Sequence, residues 1–317
     1  MITRIDTNVE TAIALLKKDE VVAIPTETVY GLAGNALNPE TVLKIYEVKQ
    51  RPSFDPLIVH TNSLTKISTF VKNIPDIIFK LSEEFSPGPL TYVLPKSDLI
   101  TDIVSSGLPS VAIRIPDHPL TLELLSSLSF PLAAPSANLF GKISPTKAEH
   151  VYNQLQGKIP FILDGGNCKI GIESTIVSFH NNKLQVIRLG GITIDQLYDT
   201  VGSRNVVFHQ AEQINAPGQL KSHYATQTPM LIGDIEELIL KYSDKKLAVL
   251  SFEKEYSQIK NQVVLSKKGD LKEAAQKLFQ AMHHLDSLHA DIILTEVFPK
   301  TGLGLAINDR LTRAAYR

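Results

Sequence analysis

The densest polar chemistry in the sequence directly follows a short apolar run, residues 21–24, which predicts a buried strand. The next residues read PTETVYGL (25–32). They place hydroxyl groups, a carboxylate and a phenol beside Gly31, and a glycine lets the backbone approach a ligand closely. The segment is therefore a candidate ligand site. The alternative is a capped turn, in which Thr26 or Thr28 bonds the start of a helix.

Two cations form a second candidate site. Lys49 and Arg51 are separated by one residue in the segment KQRP, so in an extended chain their side chains point the same way. Converging cations suit a phosphate group, and arginine adds a fork of donors. Pro52 and Pro56 stiffen the backbone that carries these charges. A pair of solvated cations is the alternative interpretation.

A third cation alternates with apolar residues in the strand pattern SVAIRIP (110–116). The alternation predicts that Arg114 is partly buried, and a buried charge needs a partner. That partner is either a ligand carboxylate or phosphate, or a carboxylate of the protein in a salt bridge.

Three further polar regions complete the set. They read AAPSAN (133–138) with GKISPT (141–146), GIEST (171–175) and RLGG (188–191). Their small residues leave room for a ligand, and Ser136, Asn138 and Ser144 offer hydrogen bonds. In sheet domains, ligands usually bind at the loops that leave the strand ends. The sequence therefore predicts one polar pocket with several cations and hydroxyl groups.

The composition and the motifs exclude several classes of protein. There is no P-loop, no H-E-x-x-H and no zinc-like Cys/His spacing. Cys168 is the one cysteine, so no intramolecular disulfide forms, which fits a reducing compartment. The net charge of -1 argues against broad binding to nucleic-acid phosphates. Because no leader pattern and no apolar run of membrane-spanning length is present, we expect a cytoplasmic protein without membrane association.

The chain divides into two predicted domains. Short apolar strands alternate with helical patterns over residues 1–201, which predicts an α/β or α+β sheet domain of unspecified strand order. Residues 202–228 lack long apolar runs and have the composition of a linker. A second βα pattern over residues 229–317 predicts a small, doubly wound α/β domain.

As a set, the segments PTETVYGL, KQRP, PSAN, ESTI and RLG closely resemble the threonylcarbamoyl-AMP synthase family over residues 5 to about 195. HYA (223–225) and GLAINDRL (304–311) resemble its two-domain members. The resemblance implies a YrdC-like twisted open sheet with helices, followed by a linker and a small Rossmann-like α/β domain. It implies a nucleotidyltransferase that converts L-threonine, bicarbonate and ATP to threonylcarbamoyl-AMP and pyrophosphate. The product would pass to the transferase complex that makes threonylcarbamoyladenosine in tRNA.

The resemblance also implies which residues bind the substrates. The L-threonine site falls on Thr28, His60, Arg114, Ala134 and Ser174. The ATP site falls on Arg51, Asp55, Ser110, Ser136, Asn138, Ser144, Arg188 and Tyr224. Lys49 and Arg51 would be the catalytic cations at the triphosphate, and Tyr224 would fold over the nucleotide. Position 55 is often Asn in the family, and Lys-Gln-Arg stands here in place of the frequent Lys-Gly-Arg.

We find no dedicated general base in the sequence, and a carbamate nucleophile is already an anion. Catalysis then rests on positioning and on charge neutralisation at phosphorus. Mg²⁺ would accompany ATP and be held by phosphates and water, with no ligand assigned to the protein. The second domain would hold the linker as a lid. An RNA-binding module, or a nucleotide or amino-acid sensor without turnover, is the alternative, and direct binding of tRNA stays open.

Overall fold

The computed structural model describes residues 1–180, 183–208 and 223–316. Within these residues the chain forms a sheet of eleven strands and a second sheet of four. The strands of the large sheet are β1 (Arg4–Asp6), β2 (Val22–Ile24), β3 (Gly31–Asn35), β4 (Ile58–His60), β5 (Leu90–Pro95), β6 (Ser110–Arg114), β7 (Leu132–Ala133), β8 (Phe161–Leu163), β9 (Thr175–His180), β10 (Lys183–Arg188) and β11 (Val206–Phe208). Its helices are α1 (Val9–Leu16), α2 (Pro39–Lys49), α3 (Leu64–Phe70), α4 (Asp76–Phe85), α5 (Asp102–Ser105), α6 (Pro119–Ser126), α7 (Ala148–Leu155) and α8 (Ile194–Val201).

The large sheet is mixed, in the order β1-β8-β2-β3-β7-β4-β6-β5-β9-β10-β11. Strands β4 and β6 are parallel, and their register sets His60 opposite Arg114. Strand β5 is antiparallel to β6 and parallel to β9, and β9 is antiparallel to β10. The carboxyl ends of β4, β6 and β10 and the amino end of β9 therefore lie at the same edge of the sheet.

Strands β2, β4 and β8 of the large sheet are buried at every position, so both of their faces are covered, which explains why they read as short apolar runs. In β2, Ala23 packs in one apolar cluster, whereas Val22 and Ile24 pack in another. Successive side chains of a strand point to opposite faces, so a strand covered on both sides needs apolar residues at every position.

Local signals fix the ends of helix α2, which leads into the segment KQRP. Pro39 occupies the first turn, and the side chain of Asn38 accepts a hydrogen bond from the backbone N–H of Glu40. Gln50 ends the helix in the left-handed conformation, with φ 52° and ψ 39°. Glycine adopts this conformation most easily, so the Gln in Lys-Gln-Arg occupies a position that suits glycine.

The small domain has a parallel sheet in the order β12-β15-β13-β14. Its strands are β12 (Met230–Ile232), β13 (Leu247–Ser251), β14 (Gln262–Val264) and β15 (Ile292–Thr295). Its helices are α9 (Ile235–Lys241), α10 (Leu271–Ser287) and α11 (Leu303–Ala315). The predicted fold class, a large sheet domain followed by a small α/β domain, is confirmed. No helix in the described parts of the chain is both long and apolar enough to cross a membrane.

The two domains share an apolar cluster. Val29, Ile143 and Ile172 of the large domain pack in the same buried group as Phe279 of α10. Backbone also approaches backbone at this interface: a Cβ added at Gly171 would lie 2.3 Å from the carbonyl oxygen of Gln276 in α10. The domains are therefore closely docked.

The predicted linker, residues 202–228, differs from the structure at its beginning. Val206–Phe208 forms β11, which pairs in parallel with β10, and Val206 is buried. Its short apolar run, VVF, lies in a segment that is otherwise polar, so the composition favours a linker. The predicted linker residues 209–222 lie outside the described residues, and the domain boundaries remain predictions.

Candidate active site

A cleft lies where loops of the large sheet meet the segment before the small domain. It encloses about 560 Å³, part of which is open to solvent. The lining residues are Thr26, Thr28, Val29, Gly31, Arg51, Ile58, His60, Arg114, Ala134, Pro135, Ser136, Glu173, Ser174, Arg188, His223 and Tyr224. All five residues of the predicted threonine site are among them, together with Arg51, Ser136, Arg188 and Tyr224 of the predicted ATP site.

Arg114 ends β6 and is the cation at the centre of the cleft's hydrogen bonds. Its Nη2 donates to Glu27 Oε1 at 2.5 Å, in a salt bridge whose two side chains are almost fully buried. Its Nη1 donates to Thr28 Oγ1 at 3.0 Å, and its Nε donates to the carbonyl of Gly88. The buried cation thus has the protein carboxylate that was one of its two predicted partners. Since a guanidinium has five N–H donors, these bonds do not use all of them.

The segment after β2 lines the cleft and also forms a threonine-stabilised turn, but the turn leads into strand β3 and not into the helix of the alternative interpretation. Thr26 stabilises a tight turn, because its Oγ1 accepts from the backbone N–H groups of Thr28 and Val29, each at 3.2 Å. Thr26 and Thr28 also share a hydrogen bond between their hydroxyl groups at 2.8 Å. The turn presents the Thr28 hydroxyl to Arg114. The threonines therefore form a capped turn and also line the cleft.

His60, at the end of β4, is a neutral acceptor. Burial, and then the nearby positive charge of Arg114, lower the pKa of His60 to about 3. Its Nδ1 lies 3.2 Å from the carbonyl oxygen of Ile58. A carbonyl only accepts, so Nδ1 carries the proton in this contact and Nε2 is left as an acceptor.

Ser174 and Arg188 form a linked pair at the neighbouring strand ends. Arg188 Nη2 donates to the carbonyl of Ser174 at 2.9 Å and to its Oγ at 3.1 Å. Ser174 Oγ also shares a hydrogen bond of 2.7 Å with Thr91 Oγ1. Burial is the main cause that lowers the pKa of Arg188. Because β9 and β10 are adjacent and antiparallel, the start of one strand meets the end of the other.

The predicted catalytic cations occupy different environments. Arg51 lines the cleft, and its Nη2 lies 2.9 Å from Asp55 Oδ2 and donates to the carbonyl of Pro56. Lys49 is buried and does not line the cleft. Its Nζ donates to the backbone carbonyls of Ser136 and Asn138. Burial lowers the pKa of Lys49 well below its ordinary value. Lys49 therefore supports the loop that carries Ser136, from the side of the loop that faces away from the cleft.

Four further predicted residues lie behind the lining, or away from it, within the part of the chain that is described. Asp55 pairs with Arg51, and Ser144 Oγ donates to Glu173 Oε1 at 2.6 Å. Asn138 Nδ2 donates to the carbonyls of Leu139 and Lys142. Ser110 begins β6, so it lies about 13 Å along the strand from Arg114, which ends it.

Tyr224 closes one side of the cleft. It is 1 % exposed, and its ring lies 4.2 Å from that of His223 and 5.3 Å from that of Phe279, between centroids. The guanidinium carbon of Arg310 in α11 lies 5.6 Å from the centre of the same ring. Burial is the main cause that raises the pKa of the Tyr224 hydroxyl. This tyrosine is thus held by the small domain while it faces the cleft.

Sequence reasoning did not select three polar lining residues, Thr26, Glu173 and His223. Glu173 lies within the segment GIEST, and its position among small and apolar residues marks it as a candidate buried charge. The rule applied to Arg114, that a charge among buried positions needs a partner, would have found it. That partner, Arg310, is 137 residues away, and no local pattern joins the two.

Two other kinds of site find no support within the described residues. No group of three or more His, Cys, Asp or Glu side chains is placed to hold a metal ion there. Cys168 is buried, and burial raises the pKa of its thiol, so it lacks the character of a reactive nucleophile.

The fold and the cleft define a two-domain α/β protein whose cation-lined pocket is closed on one side by His223 and Tyr224. Residues 14–190 match the Sua5/YciO/YrdC family model, described as telomere recombination. Residues 192–316 match the model of the threonylcarbamoyl-AMP synthase C-terminal domain. The chain belongs to the threonylcarbamoyl-AMP synthase family.

Relatives match over nearly the whole chain. A threonylcarbamoyl-AMP synthase of Bacillus subtilis is 42% identical, over 98% of this chain and 93% of the relative. One of Pyrococcus abyssi is 38% identical, over 96% and 94%. The crystal structure of Pyrococcus abyssi Sua5 complexed with L-threonine has a TM-score of 0.91 and 35% identity, covering 99% of this chain and 97% of that one.

Proposed function

We propose that this chain joins L-threonine, bicarbonate and ATP to give threonylcarbamoyl-AMP and pyrophosphate. One observation supports the proposal most directly. A single cleft brings together Arg114 and His60, which resemble a site for an amino-acid substrate, with Arg51, Arg188 and Tyr224. The first two can recognise a small zwitterion, and the others can hold a polyphosphate and an aromatic base. Relatives that match nearly the whole chain are named for this activity.

Threonine is assigned to the end of the cleft at β4 and β6. Arg114 would bind the carboxylate with the N–H groups that Glu27, Thr28 and Gly88 leave available. His60 offers Nε2 as an acceptor for an N–H or O–H of the substrate. Ala134 leaves space beside them.

ATP is assigned to the end formed by Arg51, Arg188, Ser136 and Tyr224. The two arginines would neutralise phosphate charge, and their fork geometry suits phosphate oxygens. Tyr224 would cover the nucleotide, which excludes water from a labile adenylate. Lys49 acts here by fixing the loop of Ser136, since its ammonium group already bonds that loop.

The proposed reaction begins when the ammonium group of threonine loses one proton to solvent, and the neutral amine then takes up bicarbonate and forms a carbamate with loss of water. A carbamate oxygen attacks the α-phosphorus, a new P–O bond forms, and the bond to pyrophosphate breaks. The nucleophile is an anion and needs no base. His60, with a pKa of about 3, is neutral and suits hydrogen bonding more than proton transfer at neutral pH. The residues act by positioning and by stabilising charge at phosphorus.

Mg²⁺ belongs to the proposal as the partner of ATP. Glu173 lines the cleft, but its two carboxylate oxygens already accept bonds from Ser144 and Arg310. Among the described residues, those that line the cleft do not fit a magnesium site made by the protein. The metal would arrive with the phosphates as the substrate complex, and we assign no step of the protein's chemistry to it.

The product is proposed to pass to a separate transferase that modifies an adenosine of tRNA, in the cytoplasm. The overall charge of -1 argues against broad electrostatic binding of the tRNA by this chain. Threonylcarbamoyl-AMP is a mixed anhydride, so a receiving enzyme must act on it before water does.

The test is pyrophosphate release by the purified chain with ATP and Mg²⁺, with and without L-threonine and bicarbonate. We expect release that requires both, and that Arg51→Ala abolishes without unfolding the protein. Binding of ATP and threonine without release would instead indicate a sensor. Salt-sensitive binding of RNA in the absence of turnover would indicate an RNA-binding module.

A further inference from the structure

Arg310 is a fully buried cation that the small domain places against the large one. Its side chain is 0% exposed, although arginine is almost never fully buried unless it is paired. Its Nε donates to Glu173 Oε2 at 3.1 Å, across the domain interface. Its Nη1 donates to Asp309 at 3.0 Å, and its guanidinium group faces the ring of Tyr224.

Glu173 is the carboxylate that Arg310 reaches, and it lines the cleft beside Ser174 and Arg188. An unpaired carboxylate here would repel the triphosphate of ATP at short range and in a poorly solvated site. Burial raises the pKa of Glu173, but Arg310, Arg188 and the Ser144 hydroxyl together lower it below its ordinary value. Glu173 is therefore a carboxylate anion whose charge needs neutralising.

We propose that Arg310 is a positioning residue of the small domain that neutralises Glu173 and steadies Tyr224, so that the cleft accepts the triphosphate only when the domains are docked. The neutralisation of Glu173 and the closure of the cleft by Tyr224 then both depend on the Arg310 side chain. By linkage, bound ATP stabilises the docked arrangement to the same extent that docking favours ATP. The inference rests on the proposed use of ATP in this cleft.

The surroundings of Arg310 support this role over simple structural pairing. Its Nη2 is buried and has no hydrogen-bond partner among the described residues. A buried donor without a partner is costly, and a ligand or an ordered water would remove that cost. The same helix also holds His223, because the backbone N–H of His223 donates to the carbonyl of Arg313. Helix α11 thus contacts Glu173, Tyr224 and His223 together.

The experiment compares full-length Arg310→Met, Arg310→Lys, and Arg310→Met combined with Glu173→Gln. Arg313→Met is the matched control, since Arg313 bonds the same Asp309 but its side chain is partly exposed, whereas that of Arg310 is fully buried. Each is measured for ATP binding by calorimetry, for the KM of ATP and of threonine, and for thermal unfolding. In Arg310→Met we expect ATP affinity to fall about tenfold or more, as one uncompensated charge predicts, with threonine KM within about twofold.

The double variant decides between charge neutralisation and structural support. Removing the carboxylate together with the cation should recover most of the ATP affinity, and Arg310→Lys should recover part of it. If Arg310→Met does not fold, a folded double variant with near wild-type ATP affinity supports the proposal equally well. A double variant no better than Arg310→Met, or equal rises in both KM values, would overturn it.

Failure of this proposal is distinguishable from failure of the proposed function. ATP affinity is measured without turnover, so the comparison between Arg310→Met and the double variant stands even if no pyrophosphate is released. Conversely, threonine-dependent release by the wild type, with ATP affinity equal in all variants, keeps the activity and rejects the role of Arg310. The control Arg313→Met should stay within about threefold of wild type in ATP affinity, because a partly exposed ion pair contributes little.

Discussion

The two ends of the cleft are built in different ways. The amino-acid end, around Arg114 and His60, is made by adjacent strands of one sheet and is held by bonds within one domain. The nucleotide end, around Tyr224 and Glu173, is completed by Arg310 and Phe279 of the other domain. The first end is therefore preorganised by strand register, whereas the second depends on docking.

The largest effect is expected from a substitution at the amino-acid end of the cleft. Arg114→Ala removes the cation of the threonine site and leaves the buried Glu27 unpaired. We expect kcat/KM for threonine to fall about a hundredfold or more, as for a lost charge-assisted contact. The free energy of unfolding should fall by about 3–5 kcal/mol. Pyrophosphate release and denaturant unfolding measure the two losses.

The control for Arg114→Ala adds Glu27→Gln to the same chain. This double variant removes the buried carboxylate charge of residue 27 and should restore most of the stability, while threonine turnover stays low. Normal threonine kinetics in that double variant would mean that Arg114 serves only the salt bridge.

The next prediction undocks the small domain. Gly171→Ala introduces a Cβ that would meet the backbone of α10 at Gln276, 2.3 Å away. We expect ATP affinity to fall about tenfold, with threonine affinity within about twofold, because the amino-acid end does not use the docked domain. Calorimetric titration with each substrate gives both values.

Gly166→Ala is the matched control for the strain of a positive φ. Gly166 and Gly171 both have φ +78°, but a Cβ at Gly166 would meet nothing within 4 Å. The conformational penalty, about 1–2 kcal/mol, is therefore common to both variants. The same ATP affinity in the two variants would show that docking does not shape the nucleotide end.

The third prediction is that stability depends on pH, through one buried histidine at each end of the cleft. Burial lowers the pKa of His60, at the amino-acid end, and of His223, beside Tyr224, from 6.5 to about 3. Each folded-state pKa lies below the unfolded one, so each contribution to stability is present above about pH 6.5 and is lost as pH falls towards 3. The slope is about 1.4 kcal/mol per pH unit for each histidine.

Denaturant unfolding of the wild type, His60→Gln and His223→Gln over this pH range measures these contributions. Each substitution should reduce the pH dependence by one histidine's share. A wild-type stability that does not change from pH 7.5 down to pH 5.5 would contradict the expected burial of both rings.

The smallest effect is expected at Gln50, the residue that ends helix α2 directly before Arg51. Gln50→Gly relieves a left-handed residue and should raise the free energy of unfolding by about 0.5–1 kcal/mol without changing the ATP KM. Ser106→Gly is the control, because Ser106 ends α5 in nearly the same conformation, with φ 53° and ψ 38°. Lower turnover in Gln50→Gly alone would mean that the Gln50 side chain acts at the nucleotide end.

Much of the fold was predictable because the signals are local. The proline and Asn cap that begin α2, and the apolar run of β2, each lie within a few residues. Strands β1 and β11 were not predicted, because β1 contains two charged residues and the short apolar run of β11 lies in an otherwise polar segment. The five threonine-site residues were placed by a family resemblance, and the structure brings them to one cleft.

By itself, the sequence determined the two sheet domains, the absence of a P-loop and the loops that contribute hydroxyl groups and cations, because residue type and short spacing specify these features. Only the tertiary structure decided which charges meet. Lys49 bonds the backbone of residues 136 and 138, Arg114 pairs with Glu27, and Arg310 reaches Glu173 from the other domain. Such partners lie tens of residues apart or more, so packing of the sheets and docking of the domains select them, and no local pattern records that choice.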